Sequence, residues 1–169
     1  MTAMTERQAE RRSSTLLRGA IGGLLAGMVF VGVTMWFTNS TAGKADMPLR
    51  MISTIVKGDQ AMAAGTISVG LGVLVHLVLS VAFGMLFALV VPRLLSNGTF
   101  ALAATLYGAL LYVVNFLVLA PLVFTVFTMA NKPFELLAHL VFGTLLGFAF
   151  FGSGARRGDP ILAIGRSGG

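Results

Sequence analysis

Three ionisable side chains, His76, Glu135 and His139, lie inside long apolar runs, where such groups are costly and by default mark function. Glu135 and His139 are four residues apart, one turn along a single helix face. At that spacing a carboxylate can hold an imidazole charged or share its proton. Glu135, His139, Gly143 and Gly147 follow one another at intervals of four, and Gly72, His76, Ser80 and Gly84 repeat that spacing in an earlier segment. Asn115, in a third apolar run, is placed to bond to either imidazole. These four residues, His76, Glu135, His139 and Asn115, form the candidate polar cluster.

Several chemistries fit it. The cluster can handle a proton or a bound partner. His76 and His139 could instead be the axial ligands of haem b or another tetrapyrrole, with glycines one turn away to admit a flat ring. A zinc site needs three or four ligands, and only His76, Glu135 and His139 are available, so no metal is expected. The plainest reading is that each histidine makes hydrogen bonds inside the bundle and fixes helix register. No catalytic signature accompanies the cluster, so a non-enzymatic role is expected, and Gly70-Leu71-Gly72 lacks the third glycine of a dinucleotide fingerprint.

The elements that must carry these residues are helices in a membrane. Among 169 residues, 56% are hydrophobic and 11% charged, with a mean hydropathy of +0.90, which leaves too little polar surface for a soluble domain. Asp, Glu, Lys and Arg are absent from 19–43, 60–92, 94–131 and 136–155, stretches of 25, 33, 38 and 20 residues. About 20 helical residues cross a hydrocarbon core. The runs are continuously apolar, which excludes a transmembrane β-barrel, and zero cysteines exclude disulfides and thiolate chemistry. The expected fold is an all-α bundle of four transmembrane helices, spans about 17–38, 66–91, 99–122 and 133–153, between a polar tail (1–18) and a basic tail (154–169).

Charge orients the bundle. Of the 12 Lys and Arg residues, eight (Arg7, Arg11, Arg12, Arg18, Arg93, Arg156, Arg157 and Arg166) fall on one side and four (Lys44, Arg50, Lys57 and Lys132) on the other. The positive-inside rule places both termini in the cytoplasm and the first loop outside. The net charge of +6 therefore serves topology and lipid headgroups, and no nucleic-acid surface is expected. In the first loop Asp46 can cap a helix running to Val56, with Pro48 in its first turn and Gly58 as its stop. Its apolar face, Leu49, Ile52, Ile55 and Val56, suits a helix lying flat at the membrane interface or one packed over the bundle mouth. The phenylalanine-rich stretch from Leu122 to Asn131 reads as an interfacial extension beyond a helix kinked or ended by Pro121.

Glycines supply the packing surfaces. Gly19, Gly23 and Gly27 form one stripe, and Gly84, Gly108, Gly143 and Gly147 recur in the other spans, where small residues permit close backbone approach. Such stripes serve packing within one chain, or a homo-oligomer or larger membrane complex, so an interaction scaffold is a further reading of the whole chain. His76-Leu77-Val78-Leu79-Ser80 aligns without gaps to His139-Leu140-Val141-Phe142-Gly143 at an offset of 63 residues, which implies two parallel two-helix repeats.

The pattern resembles, at the level of a distant relative, the YagU-like family of uncharacterised bacterial inner-membrane proteins. The residues that carry the likeness are Gly22 to Gly27, Pro48 with Arg50 and Met51, and His76 with Ser80 and Phe83. Tyr107-Gly108, Asn115, Pro121-Leu122, Pro133, Glu135, His139, Phe142 and Gly143 complete it. The resemblance implies a four-helix protein of the bacterial cytoplasmic membrane and supplies no reaction.

Overall fold

A backbone in hydrocarbon must satisfy its own N–H and C=O groups, so uninterrupted apolar runs become helices. The structure, a computed structural model that describes residues 2–91 and 97–151, is helical throughout, with no strand among the described residues. In chain order the helices are α1 (Thr2–Ala42), α2 (Met47–Ile52), α3 (Thr54–Lys57), α4 (Gln60–Ala63), α5 (Val69–Ala88) and α6 (Asn97–Tyr112). A π-helical segment (Val113–Leu119), α7 (Ala120–Leu122), a 3₁₀ segment (Thr125–Met129) and α8 (Lys132–Phe148) follow. Three stretches, Arg12–Ala42, Val69–Ala88 and Thr99–Leu122, are long and apolar enough to cross a membrane. α8, in the expected fourth span, has 17 residues and is the shortest of the four long helices apart from the 16-residue α6, which the π segment extends.

The close contacts fix the helix directions. Along α1 and α5, Gly19 meets Gly84 and Ala88, Gly23 meets Ser80 and Gly84, and Gly27 meets Ser80 and His76, so the two run antiparallel. Along α6 and α8, Gly108 meets His139 and Gly143 while Gly147 meets Ala104, again antiparallel. α8 also runs against α1, from Phe134 stacked on Phe37 at 3.8 Å between ring centroids to Leu146 and Ala149 beside Gly22. The order is thus up, down, up, down. All seven glycines of the expected packing set lie at these contacts, and no side chain larger than hydrogen fits at most of them without backbone displacement. The hydroxyls of Thr105 and Thr144 bond across α6 and α8 at 2.9 Å. α5 and α6 meet mainly through side chains, with Tyr107 donating to the Phe83 carbonyl at 2.8 Å and Phe87 against Tyr107 and Phe100.

The two ends of the bundle differ. At the end bearing the N-terminus of α1, Phe87, Val91, Phe100, Leu146 and Phe150 are wholly buried and fill the space between helices. At the other end the helices, the first loop and the 3₁₀ segment line a partly open cavity. Outward faces are apolar on all four long helices, with Leu25 and Trp36 on α1, Leu74 on α5, Leu106 on α6, and Leu137 and Phe148 on α8 all exposed.

Several expectations change. The polar tail is helical and continuous with the first span: α1 runs unbroken from Thr2 through the apolar run, with no proline or glycine before Gly19 to interrupt it. The single helix expected from Asp46 to Val56 is broken at Ser53. There the Ser53 hydroxyl donates to the Arg50 carbonyl at 2.6 Å and accepts from the backbone N–H of Ser68 at 3.0 Å, so a local side-chain bond competes with the helix and ties the loop to the start of α5. Asp46 makes no side-chain cap and instead pairs with Arg50 at 2.7 Å. Gly58, at φ +80°, does end α3, in a conformation open to glycine and strained for other residues. α4 was not expected. Of the two placements expected for this loop, contact with the bundle is the one seen: the carbonyl of buried Leu49 lies so close to Gly72 on α5 that a Cβ there would collide with it, while Val56, assigned to the apolar face, is exposed. Arg93 and the tail 154–169 lie outside the described residues.

Candidate functional site

α8 begins with Asn131, whose side chain accepts the N–H of Phe134 at 3.0 Å, and Pro133 fits its first turn. One turn in, Glu135 projects into the bundle, 8% exposed, and His139 follows it, 5% exposed. On α5, capped by Ser68, the same inward direction carries His76, 9% exposed, and Ser80. The π segment contributes Asn115, and its wider turn has a local cause. Pro121 has no N–H and its ring would press on the carbonyl four residues back, so the preceding backbone expands, with Ala120 bonding to Asn115 five residues earlier. The helix then ends at Leu122, as Pro121 led one to expect.

These residues line one cavity of about 740 Å³. All four members of the expected polar cluster, His76, Glu135, His139 and Asn115, are on its wall. Their mutual contacts are not those expected. His139 donates from Nδ1 to the main-chain carbonyl of Glu135 at 2.7 Å, leaving the carboxylate with no hydrogen bond or ion pair among the described residues. A carbonyl only accepts, so Nδ1 carries a proton, and in the neutral ring Nε2 keeps its lone pair. His76 donates from Nε2 to the carbonyl of Gly27 at 2.8 Å, which leaves the lone pair on Nδ1. Asn115 bonds to neither imidazole.

Between the two histidines stands Phe30 of α1. Its ring stacks on His76 at 5.9 Å and meets His139 edge-on at 4.9 Å, and Tyr112 and Phe116 close around His139 at 6.0 and 5.5 Å. The stretch read as an interfacial extension is part of the wall as well, through Phe124, Phe127, Met129 and Ala130. Sequence pattern missed Phe30, although it lies three residues beyond Gly27 on the helix that the glycine stripe presses against His76.

The tetrapyrrole reading does not fit this arrangement. The glycines expected to open a slot, one turn from each histidine, are filled: Gly143 abuts Ala104 and Gly108, and Gly72 abuts Leu49. His76 Nε2 is engaged by Gly27, and the Phe30 ring touches both imidazoles. Among the described residues no three His, Asp or Glu side chains are grouped to hold a metal ion. What remains is an apolar chamber whose wall carries a buried, unpartnered carboxylate and two imidazoles, an arrangement suited to binding. Comparisons with protein-family models, with curated proteins and with solved structures find no match.

Proposed function

We propose that this chain is a four-span protein of the bacterial cytoplasmic membrane, distantly YagU-like, with an accessory or small transport-like role: it takes a small, largely apolar molecule into the chamber between its helices, with Glu135 and His139 as the polar contacts. The observation that carries the reading is Glu135, buried and without a partner on the wall of a cavity of about 740 Å³. Small-molecule sites are commonly about 300–1,000 Å³, mostly apolar, with few polar groups. A carboxylate left bare in such surroundings costs several kcal/mol unless a proton, water or a ligand meets it.

The fourth span is supported by α8 itself, whose 17 residues cover roughly 26 Å at 1.5 Å per residue, near the hydrocarbon thickness. Its exposed Leu137 and Phe148 give it a lipid-facing side, and it runs antiparallel to α1 and α6. Two parallel repeats are supported by the matched pairs α1 with α5 and α6 with α8, each joined at glycines. The eight-to-four division of Lys and Arg supports cytoplasmic termini, which places the chamber in the outer half of the membrane.

Thermal melting in detergent with isobutylbenzene as guest tests this. The guest should raise the melting temperature of the wild type, and Leu79→Trp, which fills the chamber from α5, should abolish the rise. Equal responses in both proteins, or none in either, would contradict it.

A further inference from the structure

The polar groups on the chamber wall are almost all acceptors, because the structure has already used their protons. Thr34 donates its hydroxyl proton to the Phe30 carbonyl at 2.8 Å, Thr38 to Thr34 at 2.9 Å, and Thr41 to Phe37 at 2.9 Å. Ser80 donates to the His76 carbonyl at 2.7 Å. Both imidazoles donate to main-chain carbonyls, His76 to Gly27 and His139 to Glu135, so each neutral ring turns a lone pair elsewhere. The chamber is therefore offered hydroxyl lone pairs, imidazole lone pairs and the carboxylate of Glu135. Among the described residues, the amides of Asn115 and Asn131 are the donors left on the wall, and no lysine or arginine lines it.

Its apolar surface has the same electrical sense. Phe30, Phe116, Phe127 and Phe142 line the chamber, and the faces of aromatic rings carry negative potential that attracts ammonium groups when water is excluded. Anions would meet acceptors and a carboxylate, and a plain hydrocarbon would leave Glu135 unpaired. A cation with an apolar body satisfies both.

We infer that the chamber binds a lipophilic organic cation, an amine or ammonium compound whose charged nitrogen pairs with Glu135 beside His139 and whose apolar body lies against the phenylalanines. This rests on the chamber being a ligand site, as proposed above, and adds the charge of the ligand. Since one carboxylate serves both, the cation and a proton occupy Glu135 in alternation.

The test compares N,N-dimethylbenzylamine, cationic at neutral pH, with isobutylbenzene, its uncharged isostere, by ligand-induced melting shifts in detergent over a concentration series. The wild type should bind the cation at least about tenfold more tightly. Glu135→Gln should lose that preference while still responding to isobutylbenzene, and Glu135→Asp should keep it. Equal affinity for the two compounds in the wild type, or a preference that survives Glu135→Gln, would overturn the cation inference and leave the chamber as a site for apolar guests. A response to neither compound would overturn both. The comparison within the wild type stands even if Glu135→Gln fails to fold.

Discussion

His139 is joined to Glu135 through the backbone and not through the carboxylate: its Nδ1 lies 2.7 Å from the Glu135 carbonyl. The carbonyl survives any change of the Glu135 side chain. In a thermal-melting cycle on the ligand-free protein, Glu135→Gln and His139→Ala should therefore be additive within about 0.5 kcal/mol. A coupling energy well above 1 kcal/mol would show a direct side-chain bond that this geometry lacks.

Glycine substitutions should divide sharply by position. A Cβ at Gly84 would lie 2.8 Å from the Cα of Gly23 and collide with the Gly19 carbonyl, so Gly84→Ala should cost about 1–3 kcal/mol by forcing α1 and α5 apart. Gly32 sits on the same helix as Gly19 with nothing within 4 Å, so Gly32→Ala should be neutral or stabilising by up to about 1 kcal/mol. Melting temperatures of the two variants check this, and equal losses would place Gly32 at a packed contact as well, against this geometry.

Orientation is testable because the chain has no native cysteine. Gln60, exposed on α4, and Ser13, exposed near the start of α1, mark opposite ends of the bundle. In intact cells an impermeant maleimide should label Gln60→Cys and spare Ser13→Cys. The reverse pattern would invert the bundle and put the chamber on the cytoplasmic side. Ser53, which the sequence alone would offer as a loop position, is fully buried and unsuitable.

The helices were legible because charge-free runs in a membrane have no other backbone solution, and the glycine contacts because a stripe at intervals of four can only meet another backbone. The identity of the polar cluster was legible for the same reason, since ionisable groups stand out in apolar runs. Its bonding was not, because the i, i+4 spacing of Glu135 and His139 allows a bond to the side chain or to the backbone, and only the ring orientation chooses. Phe30 was invisible as one aromatic among 13 phenylalanines, and the break at Ser53 depended on a contact 15 residues away at Ser68. The π segment could be traced to Pro121 only once its backbone was seen, because a proline near a helix end is equally compatible with a simple stop.

Cation binding should depend on pH with a defined sign. A proton and the cation compete for the Glu135 carboxylate, so apparent affinity for N,N-dimethylbenzylamine should fall as pH is lowered, and binding should release a proton. His76 and His139 are the other titratable groups on the chamber wall, contributed by α5 and α8, and their protonation would add positive charge and act in the same direction. Calorimetry in buffers of different ionisation enthalpy measures the proton released, and proton uptake on binding would contradict the competition.

The central claim is tested most directly by locating the ligand. A structure of the protein with 4-bromo-N,N-dimethylbenzylamine, solved with the anomalous signal of bromine, should place the halogen among Phe30, Phe116 and Phe127 and the nitrogen within about 4 Å of the Glu135 carboxylate. Bromine found only on the lipid-facing surface, or a chamber occupied with the amine turned away from Glu135, would contradict it.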